Sequence, residues 1–88
     1  MFNQGGYEWR FTEDKSKGKV SFNIQVPKFM DTSSLDVDVQ PLYVRVDVKG
    51  KVTQIHWPDE MMVDGATVQR SQTTGELCIT CTKANHDA

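Results

Sequence analysis

From Tyr7 onward the chain is written largely in alternation. Tyr7, Trp9 and Phe11 alternate with Glu8, Arg10 and Thr12, and Val20, Phe22, Ile24 and Val26 alternate with Ser21, Asn23, Gln25 and Pro27. A period of two sends successive side chains to opposite faces of an extended chain, so each run predicts a strand with one buried and one wet face. Pro27 has no N–H to donate and suits a strand end or an edge. Leu35, Val37 and Val39 hold odd positions, whereas Val44, Val46 and Val48 hold even ones. The apolar phase therefore changes across Gln40, Pro41 and Leu42, which marks a bend, a bulge or a break between two strands. Lys49, Gly50 and Lys51 predict a tight turn, with Gly50 supplying the positive φ that hairpins need. Thr53, Ile55 and Trp57 form the next inward set, stopped by Pro58, and Leu77, Ile79 and Cys81 form the last.

Polar punctuation separates these runs. Glu13 to Lys19 reads as a charged turn, and Asp31 to Ser34 as a cluster of side chains able to bond nearby amides and reverse the chain. Asp59 to Ala66, with Met61, Met62 and Val63 among acidic residues and Gly65, is too short for a helix and is expected to be a loop. Thr67 to Ser71 predicts a short strand and Thr73 to Gly75 a turn. Residues 1–6 read as a flexible lead, 7–83 as the folded domain and 84–88 as a flexible tail. With no helical periodicity and no internal repeat, the expected fold is all-β, an antiparallel seven-stranded β-sandwich.

Composition narrows the class. Eighty-eight residues with 38% hydrophobic and 25% charged side chains support one modest core. Ten basic and 12 acidic residues give a net charge of −2, without the positive field that a phosphate backbone selects, so nucleic acid is not expected as a partner. No apolar run resembles a signal peptide or approaches a bilayer span, so no membrane partner and a soluble intracellular protein are expected. Two cysteines are too few for a disulfide framework and agree with a reducing compartment.

Little in the chain points to catalysis or to a cofactor. Cys78 and Cys81 make a C-x-x-C pattern, but positions three apart on a strand face opposite ways, so Cys81 is expected in the core and Cys78 outside. His56 is expected on an outer strand face, and His86 lies in the tail. A thiol- or metal-dependent enzyme built on Cys78, Cys81 and His56 is the competing class, and it lacks a second ligand pair or a partnered base. Trp9 and Trp57 both fall on apolar faces and read as core; Met61 and Met62 suit either loop packing or an adaptable patch. The outward side of the central hairpin is more suggestive. Tyr43, Arg45, Lys49, Lys51, Gln54 and His56, with Asp47 on the same outward side, combine aromatic area, an Arg and directional hydrogen-bonding groups, the mixture found at protein interfaces. An ordinary solvated sheet face is the plainer reading of the same residues.

Two polar signatures go beyond strand formation. DTSSLDVDVQPLYVRVDVKGK from Asp31, the Pro58 stop, and RSQTTGEL leading into a strand that ends at Lys83 resemble the C-terminal CS-type domain of tilB-like leucine-rich-repeat proteins. These are dynein-arm assembly factors of motile cilia and flagella. The likeness covers Asp31 to about Lys83; Val20 to Lys28 fits the preceding strand, and the region before Val20 matches only loosely. The resemblance implies a CS fold, a seven-stranded sandwich shared with heat-shock co-chaperones and α-crystallin-like domains. It implies a non-enzymatic co-chaperone or scaffold in cytoplasmic preassembly of axonemal dynein arms, associated with the cilium, flagellum or basal body. The implied partners are the ninety-kilodalton heat-shock chaperone, other assembly factors and dynein clients, met by a domain that is monomeric by itself. A generic client-holding CS domain without a ciliary role is the alternative. The leucine-rich repeats expected upstream are absent from the chain, which reads as an excised domain or a short relative.

Overall fold

Two four-stranded antiparallel sheets face each other in the computed structural model, which describes residues 2–84. One sheet has the order β1-β6-β5-β4, with β1 at Phe2–Asn3, β4 at Leu35–Val39, β5 at Tyr43–Val48 and β6 at Lys51–His56. The other has the order β2-β3-β8-β7, with β2 at Trp9–Asp14, β3 at Lys19–Gln25, β7 at Met61–Arg70 and β8 at Glu76–Lys83. Among the described residues the only helical element is a single 3-10 turn at Thr32–Ser34 in the crossover from β3 to β4.

The alternation read from the sequence builds the core. Val20, Phe22, Ile24, Leu77, Ile79 and Cys81 come from one sheet and meet Val44, Val46, Val48 and Ile55 from the other, all essentially inaccessible to water. Each such Val, Ile, Leu or Phe side chain stabilises the fold by about 1.5–3 kcal/mol relative to leaving it exposed. Phe11, Phe22 and Trp57 stack in the same interior, with Phe11 5.6 Å from Phe22 and 5.7 Å from Trp57 between ring centroids. The buried Trp57 indole donates its N–H to the Gln40 carbonyl at 3.1 Å, and Trp57 N and Met61 N donate to the Leu42 and Pro41 carbonyls. These bonds hold the break between β4 and β5 that the phase change at Pro41 predicts. The β5–β6 hairpin closes with Lys49 and Gly50 both at positive φ, 51° and 84°, the geometry of a type I′ turn whose twist matches its strands.

Three expectations are corrected by the fold. Phe2–Asn3, placed by the sequence in a flexible lead, forms β1 and pairs with Gln54 and Thr53 of β6. Side chains rather than apolar periodicity hold it there. The Asn3 carboxamide accepts from the fully buried Thr53 hydroxyl at 2.9 Å and from Tyr7 N, and donates to the Tyr7 carbonyl. Gln4 then continues the ladder, donating its N–H to the Val52 carbonyl and accepting the Val52 N–H on its side chain. Met61 and Met62, expected in a loop, open the ten-residue β7, opposite Lys83 and Thr82. Met61 is core at 1% exposure, whereas Met62 is exposed. The pattern hides this strand because a bulge between Met62 and Thr67 shifts its phase, with Gly65 at φ 80° absorbing the bend. Trp9 stacks on Phe11 and Phe22 yet stays 37% exposed, because β2 is an edge strand with an incompletely covered inner face. Of the expected tail, Ala84 N donates to the Glu60 carbonyl, and 85–88, including His86, lie outside the described residues.

Asn3→Ala strands the buried Thr53 hydroxyl without its acceptor, which costs about 1–3 kcal/mol. A lowered urea midpoint at unchanged slope checks this, and adding Thr53→Val should recover part of the loss.

Candidate functional site

The hairpin of β5 and β6 places the proposed interaction residues by strict register. Tyr43 lies opposite His56, and Arg45 opposite Gln54 on one side and Asp38 of β4 on the other. These four of the six side chains share the outer sheet face. The same register puts Asp36 and Asp47 opposite each other on that face, so it carries three carboxylates, of which the sequence reading had Asp47 but not Asp36 and Asp38. They were recoverable: once LDVDV is paired antiparallel with YVRVDV, its aspartates must join Arg45 outside. The face is therefore mixed in sign rather than basic. At its far end Tyr43 borders a shallow cleft of ≈ 340 Å³ shared with Gln40, Pro41, Leu42 and Glu60, where Leu42 is 63% exposed.

Lys49 and Lys51 separate from the other four. Lys49 sits in the turn itself, and Lys51 has the parity of Thr53 and Ile55, so it belongs to the opposite face at the sandwich end. The sequence grouped the six by proximity along the hairpin; strand alternation divides them between a sheet face and a pole.

The thiols fall as their spacing demands. Cys81 is 2% exposed, and burial pushes its thiol pKa up, which disfavours the reactive thiolate. Cys78 is half-buried on the opposite face with its Sγ 3.8 Å from the Thr80 hydroxyl. His56 is exposed, and no group of three or more potential metal ligands comes together among the described residues. Among those residues no helix is long and apolar enough to cross a membrane.

The two polar signatures, DTSSLDV and RSQTTG, turn out to be halves of one hydrogen-bonded knot. Arg70 ends β7, and its guanidinium reaches across to the crossover loop. Its Nη1 donates to the Met30 carbonyl at 2.6 Å and the Thr32 hydroxyl at 2.9 Å, its Nη2 to the Pro27 carbonyl at 2.8 Å, and its Nε to the Gly75 carbonyl at 3.3 Å. Asp31 caps the 3-10 turn by accepting from Ser33 N at 3.0 Å. That backbone bond first, then the Ser33 hydroxyl and the Arg70 charge, hold its carboxyl below the usual carboxylate range. The cap thus persists above the ordinary carboxylate pKa and is lost only as pH falls through the lowered value. In the second signature Ser71 bonds three times: its N to the Glu76 carbonyl, its carbonyl from Gly75 N and its hydroxyl from Thr74 N. Gln25 ties the Thr74 carbonyl to the end of β3 at 2.6 Å. Gly75, at φ 82°, packs so closely that an added Cβ would lie 2.5 Å from the Lys28 Cα. No such network is visible in the spacing, because Arg70 and its crossover partners are 38 to 43 positions apart. The Lys83 that ends the resemblance has a similar duty: it donates to Glu13 at 2.7 Å and lies 3.4 Å from Asp59, joining β8 to β2 and to the β6–β7 connection.

Two facing sheets of this order define a CS-type β-sandwich. The solved structure of the CS-b5R domains of human Ncb5or in its NAD+ form shares the fold, with a TM-score of 0.74 at 18% identity over 93% of this chain and 24% of that one. The chain belongs to the Dynein axonemal assembly factor 11-like CS-domain family, which matches residues 1–83. Dynein axonemal assembly factor 11 of Danio rerio is 54% identical over 65 residues, which is 74% of this chain and 15% of that protein. Protein tilB of Drosophila melanogaster is 40% identical over 81 residues, 92% of this chain and 20% of that protein. The chain spans a fifth or less of the length of these two relatives. The family extends to residue 1, so the stretch before Val20, which the sequence reading matched only loosely, falls within it.

Arg70→Lys replaces a planar fork by one ammonium that cannot meet four acceptors in three turns, and should cost about 2 kcal/mol. Chemical denaturation measures it, with Arg10→Lys at a 62%-exposed side chain as the control, expected within about 0.5 kcal/mol of the parent.

Proposed function

We propose that this chain is a non-catalytic protein-interaction module of a dynein axonemal assembly factor, acting in the cytoplasm as a co-chaperone or scaffold while axonemal dynein arms are preassembled. Family membership supports the assignment to dynein assembly, and the chemistry of the surface supports the mode of action. The observation that carries the mode is the Tyr43–Arg45–Gln54–His56 face. It is rigidly registered, accessible, mixed in charge and bordered by the exposed Leu42. His56 has no side-chain hydrogen bond to a carboxylate or a nucleophile among the described residues, so nothing there primes it as a base. Such a face recognises a partner by complementarity, with an apolar anchor at one end and directional polar groups along the strands.

The ninety-kilodalton heat-shock chaperone is the partner we assign to this face, with assembly factors and dynein clients held by the protein of which the domain is part. Asp36, Asp38 and Asp47 make the surface selective rather than merely sticky, since a purely acidic partner meets repulsion beside Arg45. The domain acts as a monomer, with residues 7–83 as its body and β1 as its closing edge.

Titration of the ¹⁵N-labelled domain with the chaperone is expected to move the amides of Tyr43, Arg45, Gln54 and His56, and Arg45→Glu with Tyr43→Ala should weaken binding about tenfold or more. Shifts confined to another face would overturn the assigned surface. Suppression of client aggregation without any selective partner would favour the generic client-holding function instead.

A further inference from the structure

The pole of the sandwich that holds the Arg70 knot presents a feature the sheet face does not explain. Phe29 is 91% exposed, the most exposed large apolar side chain among the described residues. It sits in the turn Pro27–Met30, closed by Met30 N donating to the Pro27 carbonyl at 3.1 Å. Both carbonyls that bracket this turn, Pro27 and Met30, accept from the Arg70 guanidinium, and Gly75 packs against the backbone of Lys28 from behind. An aromatic ring held out in water by a backbone fixed on three sides is the reverse of a floppy loop tip. Its ordering entropy is already met by the fold, the condition under which one exposed aromatic side chain serves as a binding anchor.

Charge around the ring is asymmetric. The Lys28 ammonium lies over the Phe29 ring at 5.3 Å from its centroid. The same crossover loop is joined to the β5–β6 turn, where Lys49 N donates to the Ser34 carbonyl, and so brings Lys49 and Lys51 to this pole. Two carboxylates share this pole, each engaged by backbone, Asp31 accepting from Ser33 N and Asp47 from Gly50 N at 2.7 Å, so the lysines remain in excess. We propose that the Phe29 pole is a second docking surface, whose occupant is an acidic protein segment carrying an apolar side chain or cleft that covers the ring. It is separate from the Tyr43–His56 face and does not depend on the partner assigned there. One lysine over the ring and two more on the adjoining β5–β6 turn fall short of the four to eight basic residues of a lipid-headgroup cluster. A protein ligand with carboxylates near an apolar group fits both features at once.

The test uses the 88-residue chain, ¹⁵N-labelled, and three synthetic peptides: a Glu-Glu-Leu-Phe repeat, its Lys-Lys-Leu-Phe counterpart and a Glu-Glu-Ser-Ser repeat. The first is expected to shift Lys28, Phe29, Met30, Lys49 and Lys51, and the other two to bind at least about tenfold more weakly. Phe29→Ala leaves the urea midpoint unchanged, since the ring is exposed, and weakens the first peptide about tenfold; Lys49→Glu with Lys51→Glu reverses the preference between the first two. Equal binding of the acidic apolar and acidic polar peptides, or binding indifferent to Phe29→Ala, overturns the proposal. So does co-sedimentation with phosphatidylserine vesicles that Phe29→Ala abolishes while the peptides give no shift.

Discussion

The contact on which this sandwich depends is one guanidinium. Arg70 is the last residue of an edge strand, and the chain it grips is the crossover that carries the backbone from one sheet to the other. A sandwich of short strands leaves its long connection with unpaired carbonyls, and a buried or half-buried carbonyl without a donor is costly. Arginine suits the task because its planar fork meets several acceptors in fixed directions, which a lysine on a flexible stem cannot do. By meeting Pro27, Met30 and Thr32 on one side and Gly75 on the other, Arg70 converts three separate turns into one rigid pole.

That constraint explains what the most distinctive polar stretches of the chain do. Asp31 caps a 3-10 turn, Ser71 organises a five-residue turn and Gly75 admits a backbone approach that no Cβ allows. Their chemistry is spent inside the fold. What the knot leaves exposed is different in kind: a turn with Phe29 at its outer edge at one pole, and a registered sheet face of Tyr43, Arg45, Gln54 and His56 along one side. Turn type and strand alternation decide which pole and which face each side chain joins. This is why Lys49 and Lys51 part company with the hairpin residues beside them.

Much of the architecture was legible in the sequence because alternation is a local signal. The runs Val20–Val26, Val44–Val48 and Leu77–Cys81 all bury the side chains that their phase assigns inward, and Cys81 and Cys78 part as their spacing requires. The misses share another cause, dependence on partners the local pattern does not contain. β1 is only two residues, held by the amide side chains of Asn3 and Gln4, so no hydrophobic period announces it. β7 conceals itself behind a bulge, which sends Met61 to the core and Met62 to solvent. Trp9 carries the right phase for the core but lies on an edge strand, where phase alone does not guarantee cover. The role of Arg70 was out of reach for a pattern argument, since its crossover acceptors lie some forty positions away. Resemblance located the two signatures; only their juxtaposition in space says what they do.

The Arg70 knot is most directly tested by the nuclear magnetic resonance of the guanidinium itself. With all three nitrogens bonded, rotation about the Nε–Cζ and Cζ–Nη bonds is hindered and the protons are shielded from solvent. The account therefore predicts resolved Arg70 Nη signals and Nε–H exchange at least about tenfold slower than at Arg10 and Arg45. A single averaged Nη signal, with exchange as fast as at those exposed arginines, would contradict it.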